Sequence, residues 1–323
     1  MGNCLKPLKA LTIPPISVEQ EKENLKVFSF AELKKATKKF KEYMTTNGDD
    51  NRFAQTFYKG YINETTFAPS RTETGIAVFV VECLQDSSQA QQEWKEEVKS
   101  RGKIPHPNLV KLLGYCCEDN KSFLVLEYLP KESLDRHIFE KNKALPWEIR
   151  IKIAIGAAQG LAFLHSVKTS SLNGELRMSN IMLDEQYNAK LFAIGSKKLC
   201  FVGTTTRIVG RNDYVPPEYV FAGHLDMKSD VYTFGIILLE LLTGLNALAK
   251  HDDKQNLIWT KPFLSDKDKI REIIDPRLGS DYPMNAATQM GKLIKRCIKV
   301  DTKKRPLMQQ VFDGLNDIEK IKD

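Results

Sequence analysis

GHLDMKSDVYTFGIILLELLTG, residues 223–244, is the stretch that decides the fold. From Lys228 to Thr243 it is apolar nearly all round, with a single acid, Glu240, in its second half. A helix that is hydrophobic on every side has no face to offer water. Residues 228–243 are therefore expected to form a buried central helix. A membrane span is not expected, because Glu240 interrupts the longest apolar candidate, 231–248, and a span needs about 18 apolar residues or more. Upstream, 146–166 is long and periodic, with Ile149, Ile153, Ala157 and Leu164 on one stripe. From residue 133 onward the chain reads as mainly helical.

The front half has a different rhythm. Between 53 and 84 short apolar runs alternate with polar turns, a strand pattern. Residues 90–100 read as a helix, followed by strands near 109–116 and 122–128. At the front, Ser29 and Glu32 have capping-box spacing, and Phe28 and Leu33 have that of a hydrophobic staple. The helix they start is expected to carry Phe30, Leu33 and Phe40 on one face and lysines on the other. Residues 1–27, with Pro14-Pro15 and the polar run 19–24, carry little to bury and read as a tether. The expected organisation is α+β and bilobal: a tether (1–27), a small strand-rich lobe with its preceding helix (28–129) and a larger helical lobe (130–323).

The formal net charge is +7. Residues 1–42 hold nine Lys against five Glu, so +4 of the excess lies at this end. A basic end of this kind suits a solvated surface or an anionic membrane; nothing points to nucleic acid. The six cysteines are scattered without a CxxC pair, which speaks against a zinc site or a disulfide framework and for a reducing compartment. No signal-peptide pattern is present.

Five motifs occur in order: HPNLV (106–110), NIMLD (180–184), PPEY (216–219), SDVYTFG (229–235) and Arg305-Pro306. Their order and spacing resemble those of protein kinases. FSFAELKKATKKF (28–40), HPNLVKLLGYCCED (106–119) and the opening stretch are similar to the plant receptor-like cytoplasmic kinases. The resemblance covers roughly residues 26–320 and implies the bilobal kinase fold. It also implies structural roles for Glu218, Asp230 and Arg305, with Glu218 and Arg305 as a buried ion pair.

Phosphoryl transfer needs positioning and charge stabilisation, and the parts that the family uses are degraded. The glycine-rich loop matches 47–59, whose only glycine is Gly48; Asp49 and Asp50 would repel a triphosphate. The strand that should carry the phosphate-gripping lysine is 76–84 (IAVFVVECL), and no lysine occurs between Lys59 and Lys95. Aligned on Leu84, the lysine position is Glu82; one residue earlier it is Val81. Glu97, the helix glutamate, has thus lost its cation. If Glu82 faces it, two carboxylates meet, which pushes the helix outward or raises one pKa; otherwise both point to solvent. In the catalytic loop (NGELRMSN, 173–180) Glu175 replaces the proton-accepting Asp, Arg177 the loop lysine and Gly174 the arginine that would meet a phosphorylated activation segment. Asn180 is kept. The metal-binding triplet reads Ala193-Ile194-Gly195, so the carboxylate that magnesium needs is an alanine methyl. Gly210–Tyr214 departs from the substrate-docking pattern, and Thr204, Thr205 and Thr206 remain as phosphorylation candidates.

Met1-Gly2-Asn3-Cys4 places Gly2 for myristoylation and Cys4 for palmitoylation, although Lys6 stands where Ser or Thr is usual. The combined expectation is a membrane-tethered pseudokinase at the cytoplasmic face of the plasma membrane. Its binding of ATP and Mg²⁺ would be negligible, and it would act as adaptor, decoy or allosteric partner of receptor kinases, other cytoplasmic kinases or immune receptors in plant signalling. The alternative is an unconventional serine/threonine kinase working weakly through Glu175 and Asn180.

Overall fold

The computed structural model describes residues 25–45, 56–72, 74–83, 87–102, 104–118, 121–140, 144–167, 176–193, 214–223, 225–247 and 260–322. Gly2, Cys4, Gly48, Glu175, Gly195 and Thr204–206 lie outside them.

The small lobe is a six-stranded sheet in the order β1-β5-β6-β4-β3-β2. Its strands are β1 (Lys26–Val27), β2 (Tyr43–Thr45), β3 (Thr56–Ile62), β4 (Ile76–Glu82), β5 (Leu112–Glu118) and β6 (Lys121–Glu127). Lys26 and Val27, read from sequence as the end of the tether, pair in parallel with Gly114 and Tyr115 and so already belong to the sheet. Side chains alternate across a strand, and each face of this sheet has its own helix. On one face Val78, Val80, Cys116, Phe123 and Val125 pack under α1 (Phe30–Ala36), with Phe28 and Leu33. On the other, Phe57, Phe79, Val81, Leu124 and Leu126 meet Trp94 and Val98 of α2 (Ser88–Arg101).

α1 starts as its sequence predicts. Ser29 accepts from Glu32 N at 3.2 Å, and Glu32 accepts from Ser29 N at 2.7 Å. It ends earlier than expected, at Ala36, because the chain turns left-handed: Lys38, Lys39 and Phe40 have φ of 48°, 65° and 59°. Such a turn costs roughly 1–2 kcal/mol per non-glycine residue. Partial burial of Phe40 and its ring contacts offset it. Its ring returns to stack on Phe30 at 5.8 Å and on Phe123 at 5.6 Å, and its N–H donates to Thr37 Oγ1.

The large lobe is built around α6 (Met227–Thr243), in which every residue from Ser229 onward is buried. Asp226 caps its start, and Gly244 ends it at φ 68°, where a Cβ would come within 2.5 Å of the Asp275 carboxylate. α3 (Leu134–Ile138), α4 (Trp147–Ser166), α5 (Pro217–Ala222), α7 (Met284–Cys297) and α8 (Met308–Glu319) complete the lobe. The predicted stripe on α4 is buried at Ile153, Ala157 and Leu164, with Ile149 partly covered. A short hairpin, β7 (Ile181–Leu183) and β8 (Ala189–Leu191), forms its upper surface against the small lobe.

Charged groups hold this lobe at three buried points. Arg305 meets Glu218 through two parallel hydrogen bonds of 2.7 Å, as the kinase resemblance implies. Burial raises the Glu218 carboxyl, but the hydrogen bonds from Arg305 and Ser229 outweigh it and hold the pKa below the ordinary value. Asp230 meets His165 Nε2 at 2.9 Å. Arg150, fully buried on α4, reaches Asp275 at 2.6 Å, and Arg277 meets the same carboxylate at 2.7 Å. Among the described residues no helix is long and apolar enough to cross a membrane.

Candidate functional site

The roof of the cleft between the lobes is the α2-facing side of β3 and β4, and its floor is the β7–β8 hairpin. The structure decides the lysine position. β4 alternates, and its α2-facing residues are Phe79 and Val81, followed by Cys83, all buried in one cluster with Trp94 and Val98. Glu82 is exposed and pairs with Phe123, which lies on the α1 face. A side chain reaching for Glu97 on α2 must leave from Val81. The alignment on Leu84 is thereby corrected: Glu82 does not face Glu97, and no pair of carboxylates forms there. Tyr58 reports the same geometry. Its hydroxyl pKa is raised, first by burial and then by the charge of Glu82, and Tyr58 packs with the α1-side cluster.

Glu97 is half-buried on α2. Its neighbourhood includes Cys83, whose thiol is pushed up to about 12, chiefly by burial. The charges of Glu82 and Glu97 add to that shift.

The cleft itself is filled by aromatic rings. Phe57 of β3 meets Phe79 of β4 edge-on at 5.4 Å. Phe79 lies 4.8 Å from Tyr128, just after β6. Phe57 also meets Phe192 edge-on at 5.6 Å. Phe192 follows β8 and directly precedes Ala193, so roof and floor touch beside the metal position. Met182 and Leu129 belong to the same buried cluster. Edge-to-face rings at 4.5–7 Å add about 0.5–1.5 kcal/mol per pair beyond the apolar area they bury. Lys59, two residues after Phe57, stands 4.5 Å over the Tyr128 ring, held by the ring's negative face.

The floor brings the metal positions together. Phe192 N donates to Asn180 O at 2.8 Å, which sets Ala193 near Asn180. Ala193 is buried in the large-lobe core. Among the described residues, no group of three or more His, Cys, Asp or Glu is placed to hold a metal ion. The described donors at the motif do not fit magnesium, since an amide and a methyl offer no carboxylate oxygen.

Arg177 is nearly buried. Its guanidinium lies 5.7 Å over the ring of Tyr214. Tyr214 in turn hydrogen-bonds Glu240 Oε2, and Glu240 Oε1 accepts from Ala247 N at 2.9 Å. Burial drives the Glu240 carboxyl up to about 8. Glu240, which interrupts the apolar pattern in sequence, thus ties the chain before PPE to the exit of α6.

The roles of the aromatic plug and of Glu240 were missed by motif reading. A signal for the plug existed: three phenylalanines, Phe57, Phe79 and Phe192, stand beside motifs that line a nucleotide cleft. The buried Arg150–Asp275 pair joins residues 125 apart, and nothing local announces it.

Comparison with known proteins shows the family. Residues 52–315 match the protein tyrosine and serine/threonine kinase family. The chain is 69% identical to the inactive serine/threonine-protein kinase BKN2 of Arabidopsis thaliana and 58% identical to BKN1, also named inactive, over the whole length of both proteins in each case. It is 39% identical to receptor-like cytoplasmic kinase 176 of Oryza sativa subsp. japonica over 98% of this chain and 83% of that one. With the lysine and metal positions occupied by Val81 and Ala193, the chain belongs to the protein kinase family as a pseudokinase of its receptor-like cytoplasmic branch.

Proposed function

We propose that this pseudokinase works as a membrane-tethered adaptor, binding signalling proteins instead of phosphorylating them. The observation that carries the reading is the contact between Phe57 and Phe192 across a cleft whose supporting lobes are intact. The aromatic rings take the room a purine base would need, and the lysine and metal positions are apolar. Binding of ATP and Mg²⁺ is negligible on this reading, and what the fold offers is its surface. A relative named receptor-like cytoplasmic kinase 176 supports partners drawn from receptor kinases, other cytoplasmic kinases or immune receptors. Acyl groups on Gly2 and Cys4 would hold the chain to the cytoplasmic face of the plasma membrane. One acyl chain binds only marginally, so both signals are needed.

Two measurements test this. Thermal unfolding with millimolar Mg-ATP or Mn-ATP should show no shift, whereas a saturable rise of several degrees would disprove the closed cleft. Gly2→Ala should release a carboxy-terminally tagged protein from membranes, and Cys4→Ser should leave a weak, salt-sensitive fraction. Membrane retention of Gly2→Ala would end the acylation reading. Radiolabel transfer from ATP that disappears in Glu175→Gln would put an unconventional kinase in the adaptor's place.

A further inference from the structure

The small lobe carries a charged surface that the pseudokinase reading does not use. Lys34, Lys35, Lys38, Lys39 and Lys41 are all exposed, within eight residues of chain. α1 covers one face of the sheet with Leu33 and Ala36 buried beneath it. The left-handed turn at Lys38–Phe40 then brings Phe40 back onto Phe30 and Phe123 and leaves its two lysines in solvent. Lys121 joins the same face, 3.7 Å over the Phe30 ring.

The acids nearby are mostly engaged. Glu32 caps Ser29, Glu118 accepts from Phe30 N at 2.9 Å, and Glu42 lies 3.6 Å from Lys38. Glu42, Glu82 and Glu118 are exposed on this side of the sheet, against six exposed lysines, Lys34, Lys35, Lys38, Lys39, Lys41 and Lys121. Lys34, Lys35, Lys39 and Lys41 make no ion pair among the described residues. One exposed apolar side chain flanks the lysines, Tyr43 on β2 (66% exposed), which pairs with Tyr58 on the α1 side of the sheet. β2 is an outer strand of the sheet, so this ring stands at the margin of the lysine face. Basic residues with a tyrosine at the margin suit the headgroup zone of a bilayer.

We infer that α1 and its left-handed turn form a docking face for anionic phospholipid, which sets the lobe's orientation on the membrane. The inference deepens the tethered-adaptor reading and rests on it for the presence of a bilayer. Position supports it: Cys4 is 21 residues from Leu25, a reach of at most roughly 75 Å, and the chain enters the sheet at β1, immediately before α1. A tethered lobe meets the bilayer at high effective concentration, so a weak electrostatic face suffices to orient it.

The test uses full-length protein without acyl groups, so its result is independent of Gly2 and Cys4. Co-sedimentation with phosphatidylcholine vesicles containing phosphatidylserine should show binding that weakens with salt, and vesicles of phosphatidylcholine alone should show none. The combined Lys34→Gln, Lys35→Gln, Lys39→Gln and Lys41→Gln protein should partition at least about tenfold less, with an unchanged unfolding midpoint. Lys292→Gln with Lys303→Gln, two exposed positions on the large lobe, should bind as the parent does. Equal loss in both sets, no binding to anionic vesicles, or equal affinity for double-stranded DNA at the same salt would overturn the assignment.

Discussion

The ring of Phe57 on the roof of the cleft meets that of Phe192 on its floor at 5.6 Å, edge to face. The two residues sit 135 positions apart, and their contact joins the lobes where a nucleotide would separate them. Truncating either ring leaves a cavity in a buried cluster. Phe57→Ala or Phe192→Ala should cost about 3–5 kcal/mol by urea unfolding. Neither should create a shift with Mg-ATP, because Val81 and Ala193 still supply no cation and no carboxylate. A nucleotide-dependent shift in Phe57→Ala would show that the rings alone had closed the site.

The two faces of β4 make opposite predictions for a restored lysine. Glu82→Lys changes an exposed side chain and should move stability by no more than about 0.5 kcal/mol. Val81→Lys puts a long cation into a fully buried position and should destabilise by about 1–3 kcal/mol even with Glu97 within reach. A stabilising Glu82→Lys would mean that Glu82, after all, pairs with the helix acid.

Arg305 is fully buried, with both of its outer nitrogens on Glu218. Glu218→Gln leaves the guanidinium in place without its counter-charge. The expected loss is about 3–5 kcal/mol in unfolding free energy. Arg305→Leu should cost at least as much, since it strands the Glu218 carboxylate and leaves the carbonyl oxygens of Lys228 and Lys299 without their donor. A cost below about 1 kcal/mol for Glu218→Gln would show that the pair is as weak as a surface one.

Glu240 gives stability a slope with pH. Its folded pKa, about 8, lies above the ordinary 4.5. Below about pH 4.5 both states hold the proton and the contribution is full. Between there and about 8 only the folded state does, so stability falls as pH rises through this window. Asp135, raised by burial, acts in the same direction. Glu218 and Asp275 act oppositely, since their folded pKa values are lowered. Their contribution is present above the ordinary carboxylate range and is lost as pH falls through their folded values. Thermal midpoints measured from pH 5 to 8 should fall less in Glu240→Gln than in the parent. Parallel profiles would show that Glu240 does not change its protonation in this range.

Local pattern determined much of this protein. The all-round apolar run ending at Thr243 became α6, the Ser29–Glu32 spacing became a capping box, and the alternating front half became a sheet. Each follows from periodicity or from hydrogen bonds spanning three or four residues, which a sequence displays directly. The degraded motifs also stood in plain view, because a missing lysine or aspartate is a matter of residue type. Only tertiary structure decided which neighbour of a pair faces the cleft. Val81 and Glu82 differ by one position, and strand side chains reverse face at each step, so the register with β3 and β6 settles the matter. It also stopped α1 at Ala36, where aromatic packing of Phe40 outweighed helix continuation. The Phe57–Phe192 plug and the Arg150–Asp275 pair came from the same level. Each joins residues more than a hundred positions apart, and contacts of that range exist only once the chain has closed on itself.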